Sequence, residues 1–160
     1  MRRRSFLLGM AAAFAVALTA SRARADISIA EVTLRNGSGN SIGRVDSDGT
    51  IRNSSGNSIG KIESSGTVRN GSGNSIGKVE SDGTIRNGSG NSIGRIDSDG
   101  TIRNGSGNSV GRIDSDGTIR NGSGNSVGKA EGYSTSLRHM VAAVLFFADS
   151  VSVLSLKRPR

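Results

Sequence analysis

The feature that most constrains this chain is its period. Threonines fall at Thr33, Thr50, Thr67, Thr84, Thr101 and Thr118, seventeen residues apart each time. The copy from Thr84 to Gly100 reads TIRNGSGNSIGRIDSDG, and the next differs by one aliphatic residue. A strict period of this kind points to one supersecondary unit used repeatedly, with neighbours burying each other's apolar faces. Three aliphatics in each seventeen residues is a composition too poor in Leu, Ile, Val and Phe for one copy to fold alone. The copies must therefore share one core.

Within a copy, Thr50-Ile51-Arg52 alternates polar and apolar residues and reads as a short strand. Asn53 to Gly56 is a turn, and most other copies have Asn-Gly-Ser-Gly there. Asn-Gly is a strong hairpin signal because both residues tolerate positive φ. Asn57 to Glu63 reads as a second strand. The glycine of ESSG or DSDG then suits the left-handed position closing a type I turn with a bulge. In SIGKI, Ile59 and Ile62 would face opposite sides of a flat strand, so a bulge is expected at Gly60. No copy carries helical spacing.

The ends depart from the repeat. Residues 1–25 read as a cleavable export signal. Arg2, Arg3 and Arg4 precede an apolar run, Phe6 to Ala20, and Ala23-Arg24-Ala25 is a small-x-small site with cleavage before Asp26. Arg3-Arg4-Ser5-Phe6-Leu7 resembles a twin-arginine signal. The positions of Arg2 and Leu8 depart from that pattern and leave the general secretory route as the alternative. This predicts a periplasmic or secreted protein. At the other end, Val141 to Phe147 (VAAVLFF) is the densest apolar run after the signal. It predicts a buried strand plugging the middle of the repeats, with a repeat domain over 26–148 and a tail over 149–160. The rival is a peripheral membrane contact flanked by Lys157, Arg158 and Arg160.

Charge and composition narrow the function. Five of the 21 basic residues belong to the signal; the other 16 face 13 acidic residues, a net charge of +3. They are dispersed along the sequence, and the repeats lack aromatic residues on which bases could stack, so nucleic acid is a poor partner. There is no cysteine to staple an exported fold. The single histidine, His139, lies in the degenerate last copy. Asn-Gly-Ser-Gly lacks the lysine and helix start of a phosphate loop. The DSDG turns at Asp46, Asp97 and Asp114 offer two carboxylates each, but not the third acid and distant Glu of calcium loops. No cofactor or metal ligand set is expected.

TIRNGSGNSIGKI-type units, followed by GKAEG and a C-terminal AAVLFF, resemble the five-fold β-flower family of small exported bacterial repeat proteins. The resemblance covers about Val32 to Phe147. It implies an all-β fold of tandem seventeen-residue hairpins closed radially into a five-fold flower, with the C-terminal segment at its centre. An open β-solenoid is the alternative. Five IGxI…TIR units can be counted, from Ile42–Arg52 to Val110–Arg120. The half-units Thr33-Leu34-Arg35 and Val127-Gly128-Lys129 are left over to close a ring. The family carries no settled activity.

The functional expectation is a non-catalytic exported protein, structural or multivalently binding, whose partner is a cell-wall glycan or an envelope protein. The contact set would be the residues at fixed phase: Thr50, Arg52, Thr67, Arg69, Thr84, Arg86, Thr101, Arg103, Thr118 and Arg120. The alternatives are a calcium- or glycan-binding surface module and a small enzyme with a site around Tyr133, Arg138 and His139.

Overall fold

Each repeat places one isoleucine or valine of its TIR strand inward and the flanking threonine and arginine outward. The computed structural model describes residues 26–151. Twelve strands follow in order: β1 (Val32–Asn36), β2 (Ser41–Val45), β3 (Thr50–Asn53), β4 (Ser58–Ile62), β5 (Thr67–Asn70) and β6 (Ser75–Val79). They continue as β7 (Thr84–Asn87), β8 (Ser92–Ile96), β9 (Thr101–Asn104), β10 (Ser109–Ile113), β11 (Thr118–Asn121) and β12 (Ser126–Glu131). A 3-10 turn (Thr135–Leu137) and helix α1 (Arg138–Val151) end the described chain. Residues 1–25, where an export signal is expected from the sequence, and residues 152–160 of the expected tail lie outside the described residues.

All twelve strands form one closed antiparallel barrel in which each strand pairs with its sequence neighbours. Closure disfavours the open solenoid. Five units run continuously, from β2–β3 to β10–β11. The two leftover half-units meet as β1 and β12, with Thr33 opposite Glu131 and Leu34 opposite Ala130. The seam leaves no free sheet edge in the barrel.

Both turns of the repeat use one device. In Asn53–Asn57 the Gly56 N–H donates to Asn53 O at 2.9 Å and the Asn53 N–H to Asn57 O at 3.0 Å. The positive φ, 83°, falls on Gly56. The turn is therefore type I with a bulge glycine in last place, rather than a turn needing positive φ at Asn-Gly. This explains why Ser54 is accepted where other copies have glycine. The Asn53 side chain completes the loop, its Oδ1 accepting N–H groups of Ser55 and Asn57 at 3.0 Å. At the other rim, Gly49 has φ 84°. It also accepts the Ile62 N–H at 2.9 Å, tying each turn to the next hairpin.

The strand bulge sits one residue earlier than expected. Arg52 faces Ser58 and Ile51 faces Gly60, which leaves Ile59 as the extra residue. Ile59 is half-buried against the core, while Gly60 and Ile62 point inward.

The C-terminal segment corrects the strand expectation: Val141 to Phe147 lies in α1. Closure of β1 on β12 leaves no edge for another strand, and Met140, Ala142, Ala143 and Leu145 favour a helix. Five consecutive residues, Met140 to Val144, are all buried, so this part of the helix is enclosed on every face. They belong to the same core as the inward residues of the strands. The inward glycines make room for the helix. A Cβ built on Gly77 would lie 2.2 Å from Phe147 Cζ, and one on Gly94 would lie 2.3 Å from Phe146 Cζ. No helix among the described residues is long and apolar enough to cross a membrane. Lys157, Arg158 and Arg160, which would flank a membrane contact, lie outside the described residues.

Candidate functional site

Period-two alternation sends Thr50 and Arg52 to the outer wall because Ile51 is buried. The same holds for Thr67 and Arg69, Thr84 and Arg86, Thr101 and Arg103, and Thr118 and Arg120. The barrel thus brings all ten expected contact residues into one ring. Their polar atoms also serve the fold. Thr50 Oγ1 donates to Asp48 Oδ2 at 3.0 Å, and the Thr50 N–H donates to Asp48 Oδ1 at 2.9 Å. The backbone donor is the main cause holding the Asp48 carboxyl below its usual range; Asp82, Asp99 and Asp116 follow suit. In the one copy without this acid, Ser65 Oγ donates to Thr67 Oγ1 at 3.1 Å.

Each arginine joins the two rims. Arg52 Nε donates to Asp46 Oδ2 at 2.6 Å, and Nη1 donates to Gly56 O at 3.0 Å. Arg69, Arg103 and Arg120 repeat both bonds with Glu63, Asp97 and Asp114 and with the following turn glycine. Arg86 lies 3.2 Å from Glu80 and caps Gly90 O at 3.1 Å. The hydrogen bond from Arg52 lowers the Asp46 carboxyl, and that from Arg69 lowers Glu63.

A second set of cations escaped the sequence reading. Arg44, Lys61, Lys78, Arg95, Arg112 and Lys129 point outward from the even-numbered strands, each beside the inward glycine. Each faces an arginine directly across the ladder: Arg44 faces Arg52, Lys61 faces Arg69, and Lys129 faces Arg35 at the seam. The signal was the basic residue after every Ile-Gly or Val-Gly, dispersed along the chain but gathered by radial closure. Every strand contributes one outward cation. Arg35 Nε lies 2.7 Å from Glu131 Oε1, near enough for an ion pair though misaligned for a hydrogen bond.

The other candidates are less convergent. A crevice of about 190 Å³ is lined by Asp99, Arg112, Tyr133, Thr135 and Arg138, with His139 outside its lining. Asp99 is bonded to Thr101, and Arg138 Nη1 donates to Thr135 O at 3.1 Å. Burial raises the Tyr133 phenol and lowers the His139 imidazole. The paired acids of the DSDG turns diverge, Asp46 to Arg52 and Asp48 to Thr50. Among the described residues no cluster of three potential metal ligands occurs.

The family model for 5-fold beta-flower proteins matches residues 31–148. The chain belongs to this family. The matched span takes in the whole β-flower barrel and most of α1. Comparison with curated proteins and with solved structures returned no match.

Proposed function

We propose that this β-flower is an exported, non-catalytic protein that binds a polymer or protein of the bacterial envelope multivalently through its outer wall. In this reading Thr50 and Arg52, with their counterparts at 67 and 69, 84 and 86, 101 and 103, and 118 and 120, form the contact ring. Helix α1 is the central plug that keeps the wall rigid. The five-fold arrangement corresponds to the five continuous units, and the chain ends complete the circle.

The observation that carries the reading is repetition of one outward surface around a closed wall. Weak contacts presented together gain affinity through effective concentration, without any new contact. The signal-like leader supports a periplasmic or secreted site of action. Export and binding are tested separately, the first in the Discussion.

For binding, Thr→Val exchanges on one, three or all five ring threonines are compared against purified envelope fractions. Multivalency predicts that affinity falls steeply and multiplicatively with the number of units altered. Loss in simple proportion to the number of units, or absence of binding by the parent protein, would refute it.

A further inference from the structure

We propose that the cationic belt of the barrel binds a flexible acidic polysaccharide bearing carboxylate or sulfate groups. This deepens the binding reading above and rests on it. The geometry begins with charge. Each of the five opposed cation pairs on the hairpins has one nearby carboxylate; the seam pair has two, Glu131 at 2.7 Å from Arg35 and Asp116 at 3.8 Å from Lys129. Asp46 serves both Arg44 at 2.8 Å and Arg52 at 2.6 Å. Asp97 serves Arg95 and Arg103, and Asp114 serves Arg112 and Arg120. One acid for two cations leaves an excess positive charge at each of the five hairpin pairs, while the seam pair is balanced. Over residues 26–151 thirteen cations meet thirteen carboxylates, so the excess belongs to the belt and is offset at its rims. Among the described residues, neither Lys61 nor Lys78 has a carboxylate oxygen within 4.0 Å. The even-strand cations are also the accessible ones: the Arg44 side chain is 49 % exposed, Arg95 56 % and Lys129 50 %.

Like charges directly opposite each other weaken an antiparallel pair. The odd-strand arginines hold the rims together, but the fold does not require a cation at Lys61 or Lys78, where a serine or threonine would satisfy the same outward position. Repetition of the arrangement in all five hairpins and at the seam, against its cost to stability, is what an anionic partner would explain.

The surroundings select the polymer. The wall carries no aromatic residue on which a nucleobase could stack. Its partly exposed aliphatics pack back against the core, and Val110 is the single exposed large hydrophobic residue among those described. A bilayer-inserting surface needs far more apolar area. The belt is convex and closed, so a flat membrane meets only an arc of it, whereas a flexible chain can follow it round. Above the belt lies the rim of Asn-Gly-Ser-Gly turns, without charge and rich in hydroxyl and amide groups suited to sugar hydroxyls. Below it lies the acidic rim of Asp48, Asp82, Asp99 and Asp116, which repels the polymer and fixes its track.

The test measures binding of polygalacturonate (carboxylate) and heparin (sulfate) over a salt series. Neutral dextran, single-stranded DNA and anionic lipid vesicles are run alongside. The variant carries Lys61→Gln and Lys78→Gln, the two belt lysines with no carboxylate partner among the described residues. The parent should bind one or both acidic glycans in a salt-dependent way. The variant should bind at least about tenfold more weakly, and its log–log salt slope should be shallower by up to roughly 0.7–0.9 per lysine engaged. Its melting temperature should hold or rise, because repulsion is removed; a purely structural role for the lysines would lower it. DNA or vesicles bound as tightly as the glycans would overturn the assignment, as would a variant that binds like the parent. Salt-insensitive binding of dextran, or of envelope fractions alone, would overturn the acidic-glycan assignment and leave multivalent binding standing. No binding to any of these would remove both readings.

Discussion

The contact between Phe147 and Gly77 offers a direct test of how the helix meets the wall. Phe147 is 4 % exposed. Phe147→Ala should cost about 3–5 kcal/mol from lost burial and the cavity left behind. At about 4 °C per kcal/mol for a protein of this size, the melting temperature should fall by roughly 12–20 °C. Gly77→Ala acts from the other side. Its new Cβ would lie 2.2 Å from Phe147 Cζ and 2.4 Å from Arg86 O. Overpacking of this kind costs about 1–3 kcal/mol. Gly111 occupies the equivalent position of another unit, where the Cβ would meet Arg120 O at 2.6 Å with no ring nearby. Gly111→Ala therefore measures the backbone clash alone. Once Phe147 is removed, Gly77→Ala should cost no more than Gly111→Ala does. The double-mutant cycle should show a coupling of about 1–2 kcal/mol between positions 77 and 147. Urea unfolding followed by far-ultraviolet circular dichroism gives the free energies. Additivity of the two substitutions within about 0.5 kcal/mol would refute the contact.

Three further outcomes are expected. Deleting the unit Thr84–Gly100 shortens the ring by two strands around an unchanged helix, so the cooperative thermal transition should disappear; a variant melting within a few degrees of the parent would contradict this. Asp46, Asp48, Glu63, Asp82, Asp99 and Asp116 all have lowered folded pKa values. Their contribution to stability is complete above the unfolded values near pH 4 and is lost as pH falls through the lowered folded values. The melting temperature should drop steeply below about pH 4, and a flat profile down to pH 2 would disprove it. Finally, Arg3→Lys with Arg4→Lys should hold the uncut precursor in the cytoplasm, whereas normal processing at Ala25 would assign the protein to the general secretory route.

Much of the wall was legible because each TIR strand alternates strictly, so burial of Ile51 fixes the outward direction of Thr50 and Arg52. The leftover half-units also pointed to the seam. The turn chemistry was read one glycine too early: Asn-Gly is a strong local signal, but Ser54 in one copy already argued that its second position needs no positive φ. The glycine after the Ile of each second strand was read as a bend, while its larger consequence at Gly77 and Gly94, room for the rings of Phe147 and Phe146, depends on a segment about fifty to seventy residues away. A short apolar run such as VAAVLFF does not reveal by periodicity whether it is strand or helix. What decided it was non-local, the use of both sheet edges in closure. The belt was missed for a similar reason, since residues dispersed along a line become neighbours on a circle.

The seam between β1 and β12 has a kinetic consequence. It joins residues about a hundred positions apart, so it can form only when the last strand has been synthesised. Long-range pairing of this kind is slow because the chain-closure entropy is spent before the contacts form. Until the seam closes β1 and β12 are open edges, and near-identical strands offer each edge several partners one unit out of register. The distinct sequences of β1 and β12 mark where the circle must end. If this protein travels by a route that carries folded cargo, the last ladder to form is the one that makes it ready to leave.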